Sequence, residues 1–139
     1  GGAELIFYHC YTDSGLITIY EFYAKAGDAT VNDIELCCFV DDDPVEVISC
    51  SVPASWYCHF ETASYCVHFF SEDNPIPPGQ TYGPFDVWVN PDYCFPVLTV
   101  VWSMTYNDTI VAGPDTTYWA CGPTATEPST WGTIKALYR

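Results

Sequence analysis

Between Pro96 and Tyr106 every second side chain is apolar: Leu98, Val100, Trp102, Met104 and Tyr106 alternate with a set that includes Thr99, Ser103 and Thr105. A period of two assigns the first set to the core face of a strand. Asn107-Asp108 interrupts the run and Thr109 to Ala112 resumes it, the spacing of a hairpin whose two central residues tolerate positive φ. Upstream, Phe85, Val87 and Val89 alternate with Asp86, Trp88 and Asn90, and Pro77-Pro78-Gly79 and Gly83-Pro84 bracket the approach to that strand. Residues 82–113 therefore read as the spine of an antiparallel sheet. Ile34, Leu36, Cys38 and Val40 repeat the alternation and turn Cys37 and Phe39 outward.

The rest of the chain follows the same period with local departures. Residues 4–11 are apolar on both parities, with Leu5, Phe7 and His9 on one and Ile6, Tyr8 and Cys10 on the other. Such a strand is expected to be covered on both faces, within its own sandwich or in the groove of a neighbouring subunit. A second strand is expected from Leu16 to Ala24, an acidic turn at Asp41 to Pro44, and a further strand from Val45 to Val52. Trp56–Phe60 and Tyr65–Ser71 read as a hairpin, and a loop centred on Thr62 would set Cys58 opposite Cys66. Past Ala112 the texture changes. The pattern predicts a β-sandwich domain over 1–112 and a Pro/Thr-rich wrap over 113–139 that packs on the same domain or on a neighbour. Within the wrap a short terminal helix is expected, with Trp131, Ile134, Leu137 and Tyr138 as its apolar side and Lys135 and Arg139 near its C-terminal end. The fold class is all-β: an antiparallel two-sheet sandwich stapled by disulfides.

Composition adds the setting. Eight cysteines in 139 residues, none in a Cys-x-x-Cys spacing, point to an oxidising, extracellular compartment, and Cys10, Cys37, Cys38, Cys50, Cys58, Cys66, Cys94 and Cys121 are all expected in bridges. Geometry suggests Cys58 with Cys66 and Cys94 with Cys121, leaving the other four to share the remainder. The chain opens on Gly1-Gly2 and has no run of eighteen apolar residues, so it reads as a mature exported chain without a membrane span. Eighteen acids against three bases give a net charge of −15, the wrong sign for a nucleic-acid partner. Two of the three bases are Lys135 and Arg139, so a basic tail accompanies an acidic body.

Signatures of catalysis are missing: there is no Gly-x-Ser-x-Gly, no His-Glu-x-x-His and no phosphate loop, and no enzyme, cofactor or metal is expected. Cys58-His59 with Cys66 and His68 has metal-ligand chemistry, but adjacent strand residues face opposite sides and do not converge on one ion. His9, His59 and His68 read as half-buried strand residues. Among the aromatic residues, Trp102 belongs to the core, and Trp88 on the polar face of its strand is the candidate for a surface role. Asn107-Asp108-Thr109 is a glycosylation sequon at a hairpin tip.

The stretch Ile76-Pro77-Pro78-Gly79-Gln80-Thr81-Tyr82-Gly83-Pro84-Phe85, ahead of a strand and a hairpin, resembles the later strands of immunoglobulin-like domains in secreted prokaryotic proteins, including pilus-like filament subunits. The ending Trp131 to Arg139 resembles the tails of exported bacterial proteins. This likeness implies an immunoglobulin-like sandwich. With 49% hydrophobic and 17% aromatic residues in a small domain, surface is left over for another chain. The functional expectation is a self-polymerising structural subunit of an extracellular filament or surface assembly. Copies of itself are its partners, and Leu5, Phe7, Tyr8, Trp131, Ile134, Lys135, Leu137, Tyr138 and Arg139 make the contacts. The alternative is a secreted carbohydrate-binding module that uses exposed aromatic rings to hold a glycan.

Overall fold

The structure, a computed structural model, describes residues 2–13, 17–90 and 97–121. Its ten strands are β1 (Glu4–Asp13), β2 (Ile17–Lys25), β3 (Asp33–Val40), β4 (Asp43–Pro44), β5 (Val47–Ser51), β6 (Tyr57–His59), β7 (Cys66–Phe70), β8 (Thr81–Val89), β9 (Val97–Tyr106) and β10 (Thr109–Ala120). They form a four-stranded sheet in the order β1-β2-β8-β5 and a six-stranded sheet in the order β10-β9-β3-β7-β6, with β4 paired to β3. Every pairing is antiparallel. With strands lettered in chain order, β1-β2-β8-β5 is the A-B-E-D sheet and β10-β9-β3 the G-F-C sheet of an immunoglobulin domain. The β6–β7 hairpin, inserted between the strands lettered D and E, extends the second sheet beyond β3. The protein is an immunoglobulin-like β-sandwich.

The alternation carries this architecture. Ile34, Leu36, Cys38 and Val40 of β3, Phe85, Val87 and Val89 of β8, and Leu98, Val100, Trp102 and Met104 of β9 are all buried between the sheets. Asp41-Asp42 and Asn107-Asp108 have positive φ at both residues and close tight hairpins after β3 and β9. Asp and Asn tolerate that region, and such turns match the right-handed twist of the flanking strands. The centre of the core is aromatic: the Phe22 ring lies 5.4 Å from Phe85, 5.6 Å from Phe69 and 5.0 Å from Trp119. Burying one such side chain contributes about 1.5–3 kcal/mol, so this cluster holds the two sheets together.

Several expectations are corrected. Residues 113–120 pack on the same domain as expected of the wrap, but as part of a strand: β10 keeps β9 as its partner from Thr109 to Ala120, across the expected boundary at 112, and Trp119 is 1% exposed. Pro114 fits because β10 is an edge strand, where its missing N–H costs no ladder bond, and the register shifts around it between Ala112 and Asp115. β1 is likewise an edge strand, and within its own sandwich it is covered on one face only, with Ile6, Tyr8 and Tyr11 exposed on the other. Its Leu5 and Cys10 are buried and Phe7 stacks on Trp119, whereas Tyr8 is 61% exposed. A bulge between Phe7 and His9 produces this, since one extra residue reverses the parity of the strand beyond it. Leu5 is thus a core residue and Phe7 a half-buried one packed against the core, so both side chains are turned toward the interior of their own sandwich.

The cysteine pairing also differs. In the β6–β7 hairpin Cys58 faces Phe69, not Cys66, because the loop is longer than a three-residue turn. Cys66 instead faces Cys37 across β3–β7 and is bonded to it. Cys58 bonds Cys50, and Cys121 bonds Cys10 rather than Cys94. Cys38 is a free thiol, fully enclosed on the inner face of β3, where burial pushes its pKa up to about 12. Its neighbour on β3 is oxidised and it is not, because adjacent strand residues point to opposite sides. Cys94 and the expected terminal helix, with Trp131, Ile134, Lys135, Leu137, Tyr138 and Arg139, lie outside the described residues.

Candidate functional site

The two interlayer bridges have a positional logic. β1 and β10 are the edge strands on one lateral side of the sandwich, and β5 and β6 are those on the other. Cys10–Cys121 spans the first side and Cys50–Cys58 the second, with Cα separations of 5.7 and 6.4 Å. Both open sides are clasped, so the outer faces of the two sheets are left as the broad surfaces available to a partner.

On the four-stranded sheet a polar row crosses every strand. His9, Glu21, Asp86 and Ser51 occupy register-matched positions on β1, β2, β8 and β5. His9 Nε2 lies 2.9 Å from Glu21 Oε1, and Ser51 Oγ donates to Asp86 Oδ2 at 2.9 Å. Asp86 Oδ1 is buried and has no donor among the described residues. Partial burial first, and then the hydrogen bond with the Glu21 carboxyl, raise the Asp86 pKa to about 6, against the lowering effects of Ser51 and His9. Two carboxyls side by side share a proton more readily than they carry two charges. Ser51 and His9 stand at opposite ends of the row, about 14 Å apart by three interstrand spacings, so the row holds no nucleophile poised on a base.

Beside this row runs a series of rings. The β1 bulge turns Tyr8 and His9 outward together; Tyr8 lies edge-on to Tyr23 at 6.0 Å and 4.4 Å from His9, which lies 5.4 Å from Tyr11. Tyr23 takes its place because Gly83 lies beneath it: a β-carbon there would sit 2.5 Å from the Tyr23 ring. Trp88, expected to serve at the surface, is half-buried and its indole N–H has no exposed area and no partner among the described residues. Trp56, Trp102 and Trp119 are buried. Three tryptophans and Tyr20 belong to the core while Tyr8, Tyr11, Tyr57 and Tyr65 face solvent, a division that composition does not foretell.

The outer face of the six-stranded sheet carries a second patch. Tyr57 faces Phe70 with rings 5.6 Å apart, and Phe39 lies 5.2 Å from Tyr65. Between these pairs, His68 Nε2 is 3.1 Å from Glu35 and its Nδ1 3.4 Å from Asp33, while His59, opposite His68, pairs with Glu61 at 2.7 Å. Asp33 is raised above the usual carboxylate range, mainly by partial burial, against the lowering influence of His68. Among the described residues no group of three or more His, Cys, Asp or Glu is arranged to hold a metal ion, and Cys58 and Cys66 are both consumed by disulfides. Asn107, exposed at the β9–β10 tip, accepts from Asn32 Nδ2 at 3.1 Å through its Oδ1. That contact does not engage Nδ2, the atom a glycan would join.

The described geometry is that of an immunoglobulin-like sandwich with decorated outer faces. Two solved structures are similar to it: an uncharacterized protein from Nocardia farcinica with an immunoglobulin-like fold (16% identity over 83% of this chain and 86% of that chain, TM-score 0.46) and the Reelin-N domain of F-spondin (13% identity, 87% and 88% coverage, TM-score 0.48). No protein-family model and no curated protein matches the chain.

Proposed function

We propose that the protein is a non-catalytic structural subunit of an extracellular assembly, and that copies associate through the opposed outer faces of the sandwich. The observation that supports this most is the pairing of two apolar patches on opposite sides: Ile6, Tyr8 and Tyr11 on the four-stranded sheet, and Tyr57, Tyr65 and Phe70 on the six-stranded one, each at least 37% exposed. Contiguous exposed apolar surface marks an interaction site. Two different patches back to back favour head-to-tail contacts, which propagate into an open filament instead of closing as a dimer. The bulges in β1 and β10 argue in the same direction, because they blunt the sheet edges and leave the faces to do the joining. Three disulfides among the described residues of so small a domain suit an oxidising exterior.

In this reading the basic, aromatic tail 131–139 adds a contact to the acidic body of the next subunit. Negative-stain microscopy of the full chain and of a chain ending at residue 130 tests it. Filaments are expected from the first, and short or absent ones from the second at any salt concentration, because exposed charge pairs alone are screened beyond about 8 Å. Dispersed single particles from the full chain at high concentration would contradict the proposal.

A further inference from the structure

We propose that the ring series and polar row on the outer face of the four-stranded sheet form a binding site for an uncharged polysaccharide chain. The local chemistry determines the choice of ligand. Tyr8 and Tyr11 present 61% and 42% of their surfaces to solvent, flanking an imidazole, with centroid steps of 4.4 and 5.4 Å along β1. Exposed aromatic faces carry partial negative charge and attract the C–H faces of sugar rings, which are apolar and weakly positive. Next to the rings, one and two strands in from β1, lie the Glu21 and Asp86 carboxyls, with the Ser51 hydroxyl one strand further on β5, and these accept from or donate to the hydroxyls of sugars laid across the row.

Charge then narrows the class. The only described cationic side chain of this sheet is Lys25, at the far end of β2, and the chain as a whole is strongly acidic. A uronic-acid or sulfated polymer would meet repulsion with no compensating base. A polycation is disfavoured for the opposite reason. Glu21 is already paired with His9, and the Glu21–Asp86 pair carries less than its formal charge when it holds a proton, so the row offers hydrogen bonds more than net charge. The β1 bulge is the device that builds the platform: without it Tyr8 and His9 would face opposite ways. This site does not depend on the assembly reading, although it shares the face of Tyr8 and Tyr11 with it.

Native affinity electrophoresis of the full chain tests the site, in gels containing hydroxyethylcellulose, glucomannan, laminarin or dextran, with alginate and glycol chitosan as charged probes. Retardation by at least one of the four neutral polymers is expected, with none by alginate. Tyr8→Ala and Tyr11→Ala should each weaken it roughly three- to tenfold, as loss of one aromatic contact implies, with an unchanged melting temperature. Tyr57→Ala on the opposite sheet should bind like the parent. That variant separates the two proposals: it impairs assembly and spares the polysaccharide. No retardation by any neutral polymer, retardation by glycol chitosan alone, or full binding by Tyr8→Ala would overturn the proposal.

Discussion

At the residue scale, the charge row on the four-stranded sheet has a consequence for stability. The folded pKa of Asp86, about 6, lies above the ordinary value of 3.8, so the folded protein holds a proton that the unfolded chain has already released between those two values. Stability therefore falls as pH rises through that window and is level above it. Asp33 shifts in the same direction and adds to the trend. Urea unfolding between pH 4 and 7.5 should show the parent losing stability as pH rises toward neutrality, and Asp86→Asn, whose amide cannot titrate, should flatten the slope and unfold later than the parent at pH 7. A parent whose stability is constant or climbs across that range would refute the assignment.

Strand alternation was legible from single residues: Ile34, Leu36, Leu98, Val100 and Met104 all turn inward as a period of two requires. Trp88 and Tyr8 were not. Whether a strand aromatic is covered depends on what lies across the sheet, and the direction of Tyr8 depends on a bulge that leaves no mark in composition.

At the element scale, the departures share a cause. β10 carries Gly113, Pro114 and a string of threonines, which reads as irregular chain, yet it pairs along β9 because an edge strand needs only one side of its ladder. The β6–β7 register, and with it the cysteine map, turned on a loop length that the residues 60–65 do not signal. The bridges differ in what they close. Cys10–Cys121 joins positions 111 residues apart and Cys50–Cys58 positions 8 apart. Loop-closure entropy assigns the first about 4.8 kcal/mol and the second about 2.5 kcal/mol. Replacing Cys10 and Cys121 together by Ala should thus cost about 2 kcal/mol more in urea unfolding than replacing Cys50 and Cys58. Equal losses, or a larger loss at the short bridge, would mean that the clasp between β1 and β10 does not act by constraining the unfolded chain.

At the scale of the whole molecule, the sandwich buries Trp56, Trp102 and Trp119, exposes Tyr8, Tyr11, Tyr57 and Tyr65, closes both lateral sides with disulfides, and is left with two faces that carry rings and histidine–carboxylate pairs. The sequence anticipated a two-sheet, disulfide-stapled sandwich, and its surplus of apolar residues anticipated exposed patches. It located them in part: Tyr8 of the expected contact set is exposed, whereas Leu5 is buried, Phe7 is half-buried against the core, and Tyr57, Tyr65 and Phe70 were outside that set. The most direct measurement on the assembly is a light-scattering concentration series on the full chain beside Tyr57→Ser/Phe70→Ser, two exposed positions whose exchange spares the core. Head-to-tail assembly predicts a mass that climbs with concentration without settling at a fixed multiple of 15.5 kDa, and a variant that stays at or near that value. A parent that remains at 15.5 kDa throughout, or a variant that assembles equally well, would contradict it.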